Sequence, residues 1–202
     1  MQAKPLFITG IGTGIGKTIV SAILTEQLKA DYWKPIQSGD LDNSDTLKVK
    51  SLVSNNRSKF HPEAYCLTQP FSPHKSAAID GIVIDPKSIH LPETDNQLII
   101  EGAGGLMVPL NDDFLMIDLI KQLDAEVILV VKHYLGSINH TLLSLEALAN
   151  RNIPVNAVVF NGDSDADAEQ VIVKYARTKK ILSITVIDRI NKENIALQKI
   201  EL

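Results

Sequence analysis

The run Phe7-Ile8-Thr9-Gly10-Ile11-Gly12-Thr13-Gly14-Ile15-Gly16-Lys17-Thr18 decides how the chain is read. An apolar strand gives way to a glycine-rich turn, and a Lys-Thr pair then opens a helix. Glycine lets the backbone curl so that its N–H groups converge on phosphate oxygens, and the positive end of the helix dipole points the same way. In such a loop the backbone of Gly14, Ile15 and Gly16 cradles a nucleoside triphosphate. Lys17 reaches its β- and γ-phosphates, and the Thr18 hydroxyl ligates Mg²⁺. Five residues separate Gly10 from Gly16, one more than in the usual phosphate-binding loop, so this is a variant of the motif. The bland alternative is a flexible turn with an incidental lysine. It does not explain why a strand precedes the loop and a helix follows it.

Outward from the loop, strands and helices alternate. A helix from about Thr18 to Lys29 turns Ile19, Ala22, Ile23 and Leu28 toward a core and Gln27 and Lys29 toward water. Asp31-Tyr32-Trp33-Lys34-Pro35 is a short strand ended by the proline, which leaves Lys34 at its C-terminal edge. Ile36-Gln37-Ser38-Gly39 reads as a loop, and Asn43-Ser44-Asp45 as the entry to a helix carrying Leu47, Val49 and Leu52. Residues 54–73 lack periodicity and predict a surface excursion before a short helix near 74–78. Leu98-Ile99-Ile100-Glu101 is an apolar strand ending in a carboxylate, with Gly102-Ala103-Gly104-Gly105 after it. Helices are expected over Met116–Leu123, Asn139–Asn150 and Asp167–Arg177. Strands are expected over Val127–Val131, Val155–Phe160 and Ile181–Val186. Val127–Val131 runs without alternation, as a parallel strand buried on both faces does. The pattern predicts one domain over residues 1–202, a three-layer α/β/α fold with a mainly parallel sheet. Ligands in such sheets lie outside the carboxyl ends of the strands.

Composition narrows the partners. With 202 residues, 45% of them hydrophobic, the chain has enough for one core, and its net charge of -4 supplies no basic field for nucleic acid or anionic lipid. A single cysteine, Cys66, leaves no intrachain disulfide and no multi-cysteine metal site, and a semi-buried spectator thiol is the expectation. Met1-Gln2-Ala3-Lys4-Pro5 leads straight into the first strand with no signal-peptide or transmembrane pattern, so a cytoplasmic protein is expected. The five histidines, His61, His74, His90, His133 and His140, have no metal-ligand spacing and are expected at the surface or at caps.

Nucleotide chemistry needs Mg²⁺ held by few protein oxygens, and Thr18, Asp45 and Glu101 are the candidates. Glu101 stands where a second acidic element of such a site belongs; the alternative is a solvated strand end. Asp45 can equally complement a helix dipole. Lys34 faces the same crevice as Lys17, and two ammonium groups suit the charge that builds up during γ-phosphoryl transfer, although a plain surface lysine is the other reading.

Several motifs in order then resemble the dethiobiotin synthetase family over nearly the whole chain. They are the variant loop, Trp33-Lys34-Pro35-Ile36-Gln37-Ser38-Gly39, Asn43-Ser44-Asp45, Ser72-Pro73-His74, Glu101-Gly102-Ala103-Gly104-Gly105 and Leu135-Gly136-Ser137-Ile138-Asn139-His140. The resemblance implies a P-loop NTPase fold and Mg-ATP-dependent carboxylation of 7,8-diaminopelargonate with CO₂. The reaction passes through a carbamate and its mixed anhydride with phosphate, and it yields dethiobiotin, ADP and phosphate. It implies that Lys17 and Lys34 stabilise developing charge, that Thr13 and Ser38 supply hydroxyl contacts, and that Thr18, Asp45 and Glu101 hold Mg²⁺. It further implies ATP contacts from Glu101 and Gly104, with Asn161 at the adenine. The active site would lie at a homodimer interface, where the partner's segment around Gly136, Ser137, Ile138 and Asn139 meets the substrate carboxylate.

Three departures stand out. Gly12 and Gly14 replace acidic residues common in relatives, Tyr134 stands where some carry lysine, and the last strand lacks the Gly-x-x-Pro turn that often frames the base. Weaker base discrimination is the expectation. Three other readings stay open: a related carbon–nitrogen ligase with another substrate, a nucleotide-switched partitioning ATPase, and a plain nucleotide-binding module without turnover, which leaves Lys34, Asp45 and Glu101 unexplained. The second usually needs an early loop lysine, and residues 10–16 contain none.

Overall fold

The computed structural model describes residues 3–176, 178 and 180–201. The chain runs β1 (Leu6–Gly10), α1 (Lys17–Leu28), β2 (Asp31–Trp33), β3 (Ile36–Ser38), α2 (Asp45–Leu52), β4 (Phe60–His61), β5 (Tyr65–Leu67) and α3 (Pro73–Ile79). It continues through β6 (Leu98–Gly105), α4 (Met116–Gln122), β7 (Glu126–Val131), α5 (Ser137–Asn150), β8 (Val155–Asn161), α6 (Ala166–Tyr175), β9 (Ile181–Ile184) and α7 (Lys192–Leu197). Seven strands form one sheet in the order β4-β2-β6-β1-β7-β8-β9, with every pairing parallel.

Because side chains alternate across a strand, each central strand feeds two cores. Phe7, Ile100, Val127, Leu129, Val131 and Phe160 pack beneath helices contributing Ala77, Ile117, Leu145 and Ile172. Ile8, Ile99, Ile128, Val130 and Val159 pack on the other face against Val20, Ile23 and Leu24 of α1, Val49 of α2 and Ile195 of α7. The result is the expected three-layer α/β/α arrangement, with β1 in the middle of the sheet and its carboxyl end opening into the glycine loop. Among the described residues no helix is long and apolar enough to cross a membrane.

Four sequence expectations need correction. Ile36–Ser38 is a strand, paired in parallel with β5. Pro35 ends β2, but its carbonyl accepts the N–H groups of Ala64 and Tyr65, so the chain is immediately paired again in a second, two-stranded sheet. The stretch 54–73 is correspondingly not a bare excursion: β4 joins the edge of the main sheet beside β2, and β5 pairs with β3. The glycines after Glu101 lie within β6, because pairing with β1 carries as far as Gly10 opposite Gly105. Cys66 is exposed on β5. Smaller differences concern ends. β9 stops at Ile184, α5 begins at Ser137, and α7 was not anticipated. The helix expected over Asp167–Arg177 is α6, ending at Tyr175, and Arg177 lies outside the described residues, as do Met1 and Gln2.

Candidate active site

The glycine loop spans the gap between β1 and α1. Gly16 is the N-cap of α1 with φ 95°, and Gly14 has φ 72°, both in the left-handed region that side chains disfavour. A Cβ on Gly16 would collide with Nδ2 of Asn161. That close approach has a purpose, since Asn161 Nδ2 donates to the Ile15 carbonyl at 2.8 Å and braces the loop from behind. Ile15 itself buries its side chain in the core. Lys17 Nζ donates back to the Gly12 carbonyl at 2.9 Å. Burial pulls the Lys17 ammonium below its usual pKa, with the like charge of Lys34 adding and Glu101 and Asp45 opposing.

In front of the loop lies a cleft of about 660 Å³. Thr13, Gly14, Gly16, Lys17 and Thr18 line one wall, and Lys34, Ser38, Asp45, Glu101 and Gly104 are among the residues opposite, with the segment 70–73 at the rim. At its base Lys34, 3% exposed, sits 2.8 Å from Asp45 Oδ2 and 3.5 Å from Glu101 Oε1, with the Gly102 carbonyl also at 3.5 Å. Burial works against the Lys34 charge, but Glu101 and then Asp45 outweigh it and hold the pKa above its ordinary value. Asp45 is the mirror case. Its burial is opposed by the Lys34 charge and hydrogen bond, and its pKa is lowered. Thr18 donates its hydroxyl to Glu101 Oε1 at 2.9 Å. Ser38 Oγ is buried and has no hydrogen-bond partner among the described residues, an acceptor and donor left for a ligand.

Burial removes two of the bland alternatives. Glu101 is 1% exposed, so it is not a solvated strand end, and Lys34 is not a surface lysine. Asp45 does open α2, with Ser44 as the capping residue, yet its carboxylate is turned to Lys34. Gly136, Ser137, Ile138 and Asn139 stand apart from this cleft. They form the start of α5, with Gly136 at φ 104° as N-cap, beside a second depression between the glycine loop, Gly105–Val108 and His140. Asn161 likewise lies behind the loop and not on the cleft wall.

Two residues of the site escaped the sequence reading. Gln37 is buried and bridges the Gly39 carbonyl and the Asp45 N–H, so it fixes where α2 begins. Tyr32 is fully buried and donates its hydroxyl to Glu101 Oε2 at 2.9 Å. Alternation along β2 is the signal that finds it, since Tyr32 and Lys34 share a face and Tyr32 lies opposite Ile99, which shares a face with Glu101.

A phosphate-type loop on the central strand, with two lysines, a threonine and two buried or half-buried carboxylates facing one cleft, defines a P-loop nucleotide-binding α/β protein. Solved structures agree on the fold. A ParA family ATPase from Chlorobium tepidum superposes with a TM-score of 0.58 at 13% identity, covering 97% of both chains. A putative plasmid partition protein from Borrelia burgdorferi bound to AMPPNP gives 0.54 at 13% identity, covering 98% of this chain and 91% of that one. The family model described as an AAA domain matches residues 4–194. Two curated relatives named ATP-dependent dethiobiotin synthetase are much nearer. That of Christiangramia forsetii is 56% identical over 190 residues, 94% of this chain and 88% of the relative. That of Cytophaga hutchinsonii is 49% identical over 200 residues, 98% and 97% respectively. The chain belongs to the ATP-dependent dethiobiotin synthetase family.

Proposed function

We propose that this protein, acting as one domain over residues 1–202, is the ATP-dependent ligase of biotin biosynthesis that makes dethiobiotin from 7,8-diaminopelargonate and CO₂. The observation that carries the reading is the meeting of Lys17, Lys34, Thr18, Asp45 and Glu101 in one cleft of a chain from that family. One amine of the substrate adds to CO₂ and releases a proton, giving a carbamate. A carbamate oxygen attacks the γ-phosphorus of ATP, the bond to the bridging oxygen breaks, and ADP leaves. The second amine attacks the carbonyl carbon of the mixed anhydride, phosphate departs with the bonding pair, and the nitrogen loses its proton as the ring closes.

None of these steps needs a protein nucleophile. The chain supplies orientation and preorganised charge. Lys17 would leave the Gly12 carbonyl for the phosphates, Lys34 would meet the carbamate and transferring phosphoryl oxygens, and the unpaired Ser38 hydroxyl with Thr13 would hold the reacting carboxyl group. The backbone of Gly14, Ile15, Gly16 and Gly104 would surround the phosphates, and Asn161 would stand at the base end. Thr18, Asp45 and Glu101 offer only oxygen donors, and Thr18 already bonds to Glu101, a set that suits a hard divalent cation. Mg²⁺ held there would neutralise phosphate charge in the nucleotide complex.

Because Gly136, Ser137, Ile138 and Asn139 do not line their own cleft, the same segment of a second copy is the reading for the substrate carboxylate. A homodimer is supported by the exposed apolar side chains near that edge, Met107, Leu135 and Leu143. Cytoplasmic residence fits its small-molecule substrates. The test follows dethiobiotin and ADP by mass spectrometry with Mg-ATP, bicarbonate and diamine, each omitted in turn. Product only in the full mixture, stoichiometric with ADP, is expected; ADP formed without the diamine and without ring product refutes the substrate. Replacing ATP by other triphosphates in the same assay tests base selection, with comparable turnover expected.

A further inference from the structure

Tyr32 is a fully buried side chain on β2, its ring 6.1 Å from that of Phe60 within the core that faces α1. Packing alone does not ask for tyrosine there, since phenylalanine fills the same volume without a polar atom that must find a partner. The hydroxyl has one, Glu101 Oε2 at 2.9 Å. A phenol ordinarily keeps its proton at neutral pH, so the hydroxyl donates and the carboxylate oxygen accepts. Glu101 is thereby divided. One oxygen is held from within the core, and the other, Oε1, is presented to Thr18 at 2.9 Å and Lys34 at 3.5 Å.

We infer that Tyr32 is a positioning residue for the reaction: its buried hydroxyl fixes the Glu101 carboxylate so that Oε1 alone faces the cation of the nucleotide complex. The inference rests on the proposed role of Glu101 in holding that cation. The physical basis is general. A ligand carboxylate with a fixed outer partner keeps its rotamer and its orientation, and losing such partners typically weakens metal affinity by about 10–100-fold. Without the hydroxyl, Oε2 is left in the core with no donor, and the carboxylate turns toward Lys34 and the cleft.

The experiment uses the full chain, Mn²⁺ as probe and a non-hydrolysable ATP analogue, with bound metal counted by electron paramagnetic resonance. Four proteins are compared: wild type, Tyr32→Phe, Glu101→Gln and the double variant. Tyr32→Phe is expected to bind Mn²⁺ about tenfold or more weakly, with metal-free binding of the analogue unchanged and the KM for Mg²⁺ raised more than that for the diamine. In the Glu101→Gln background the same substitution is expected to add nothing, the signature of action through Glu101. If Tyr32→Phe does not fold, Tyr32→Met carries the comparison with a more adaptable side chain. Wild-type Mn²⁺ affinity in Tyr32→Phe, or an equal loss in both backgrounds, overturns the positioning role. Unchanged Mn²⁺ affinity in Glu101→Gln overturns the cation site itself and the inference with it.

Discussion

Lys34→Met keeps most of the apolar stem of Lys34 and removes its charge, leaving Glu101 without its ion-pair partner and Asp45 with only Lys48, 3.7 Å away. At an effective dielectric constant near 20, a charge pair 3.5 Å apart, the Lys34–Glu101 separation, attracts by about 5 kcal/mol before desolvation is counted. Breaking a buried pair by removing one partner costs about 3–5 kcal/mol, because the remaining charge stays buried and unpaired. Asp45 keeps 25% of its side chain exposed and recovers some hydration, whereas Glu101 keeps 1%. The lower end applies, about 3 kcal/mol, which for a domain of this size lowers the thermal midpoint by roughly 6–12 °C. The pH dependence has a definite sign. Asp45 has a depressed pKa in the folded protein, so its pairing contributes stability above its unfolded value and loses it as pH falls through the folded one. The gap between wild type and variant is therefore widest at neutral pH and narrows below about pH 4. Differential scanning calorimetry of both proteins without metal, at neutral and acid pH, measures it. A midpoint for Lys34→Met within about 2 °C of wild type at pH 7 would show that the pair stores no such energy.

Lys17→Ala separates catalysis from stability. Turnover should fall by about 10²–10³, as when a donor at a developing charge is removed, while thermal stability is not lowered, because burial already disfavours the Lys17 charge; near wild-type kcat sinks the assignment. In Gly16→Ala the new Cβ collides with Asn161 and the left-handed φ adds strain of about 1–3 kcal/mol. Calorimetry with an ATP analogue should show clearly weaker binding, and wild-type affinity contradicts the bracing role of Asn161. Asp31, 1% exposed, has a lowered pKa despite its burial, because the N–H of Lys59, the Thr94 hydroxyl, the Asn96 amide and His61 bond to it. Asp31→Asn should cost about 1–3 kcal/mol at pH 7 and flatten the loss of stability below about pH 4, as read by urea unfolding at both pH values; an unchanged acid limb refutes it.

What could be read from sequence followed how locally each feature is determined. The glycine loop and the run Val127–Val131 carry their own signals, one in backbone chemistry and the other in unbroken β-branched burial. The meeting of Lys34 and Glu101 was legible because apolar runs lead into both on neighbouring parallel strands, while Asp45 joins them from the start of α2. Ile36–Ser38 was not, since three residues after a proline become a strand only through a partner some 30 positions away, at Tyr65–Leu67. The glycines of β6 read as lying past the end of the strand, since glycine is depleted in strands, and pairing with β1 carries the strand through them. Tyr32 reads as core by its size. Only the register of β2 against β6 shows that its hydroxyl ends on a carboxylate 69 positions away.

The strut from Asn161 to the Ile15 carbonyl has one further consequence. It ties the end of β8 to the back of the phosphate loop, so the curvature of the loop is held by the protein's own contacts. The conformational entropy of ordering this loop is then given up during folding and not on each encounter with nucleotide. Capture of the nucleotide should accordingly resemble docking onto a finished surface, with little backbone rearrangement in the loop itself.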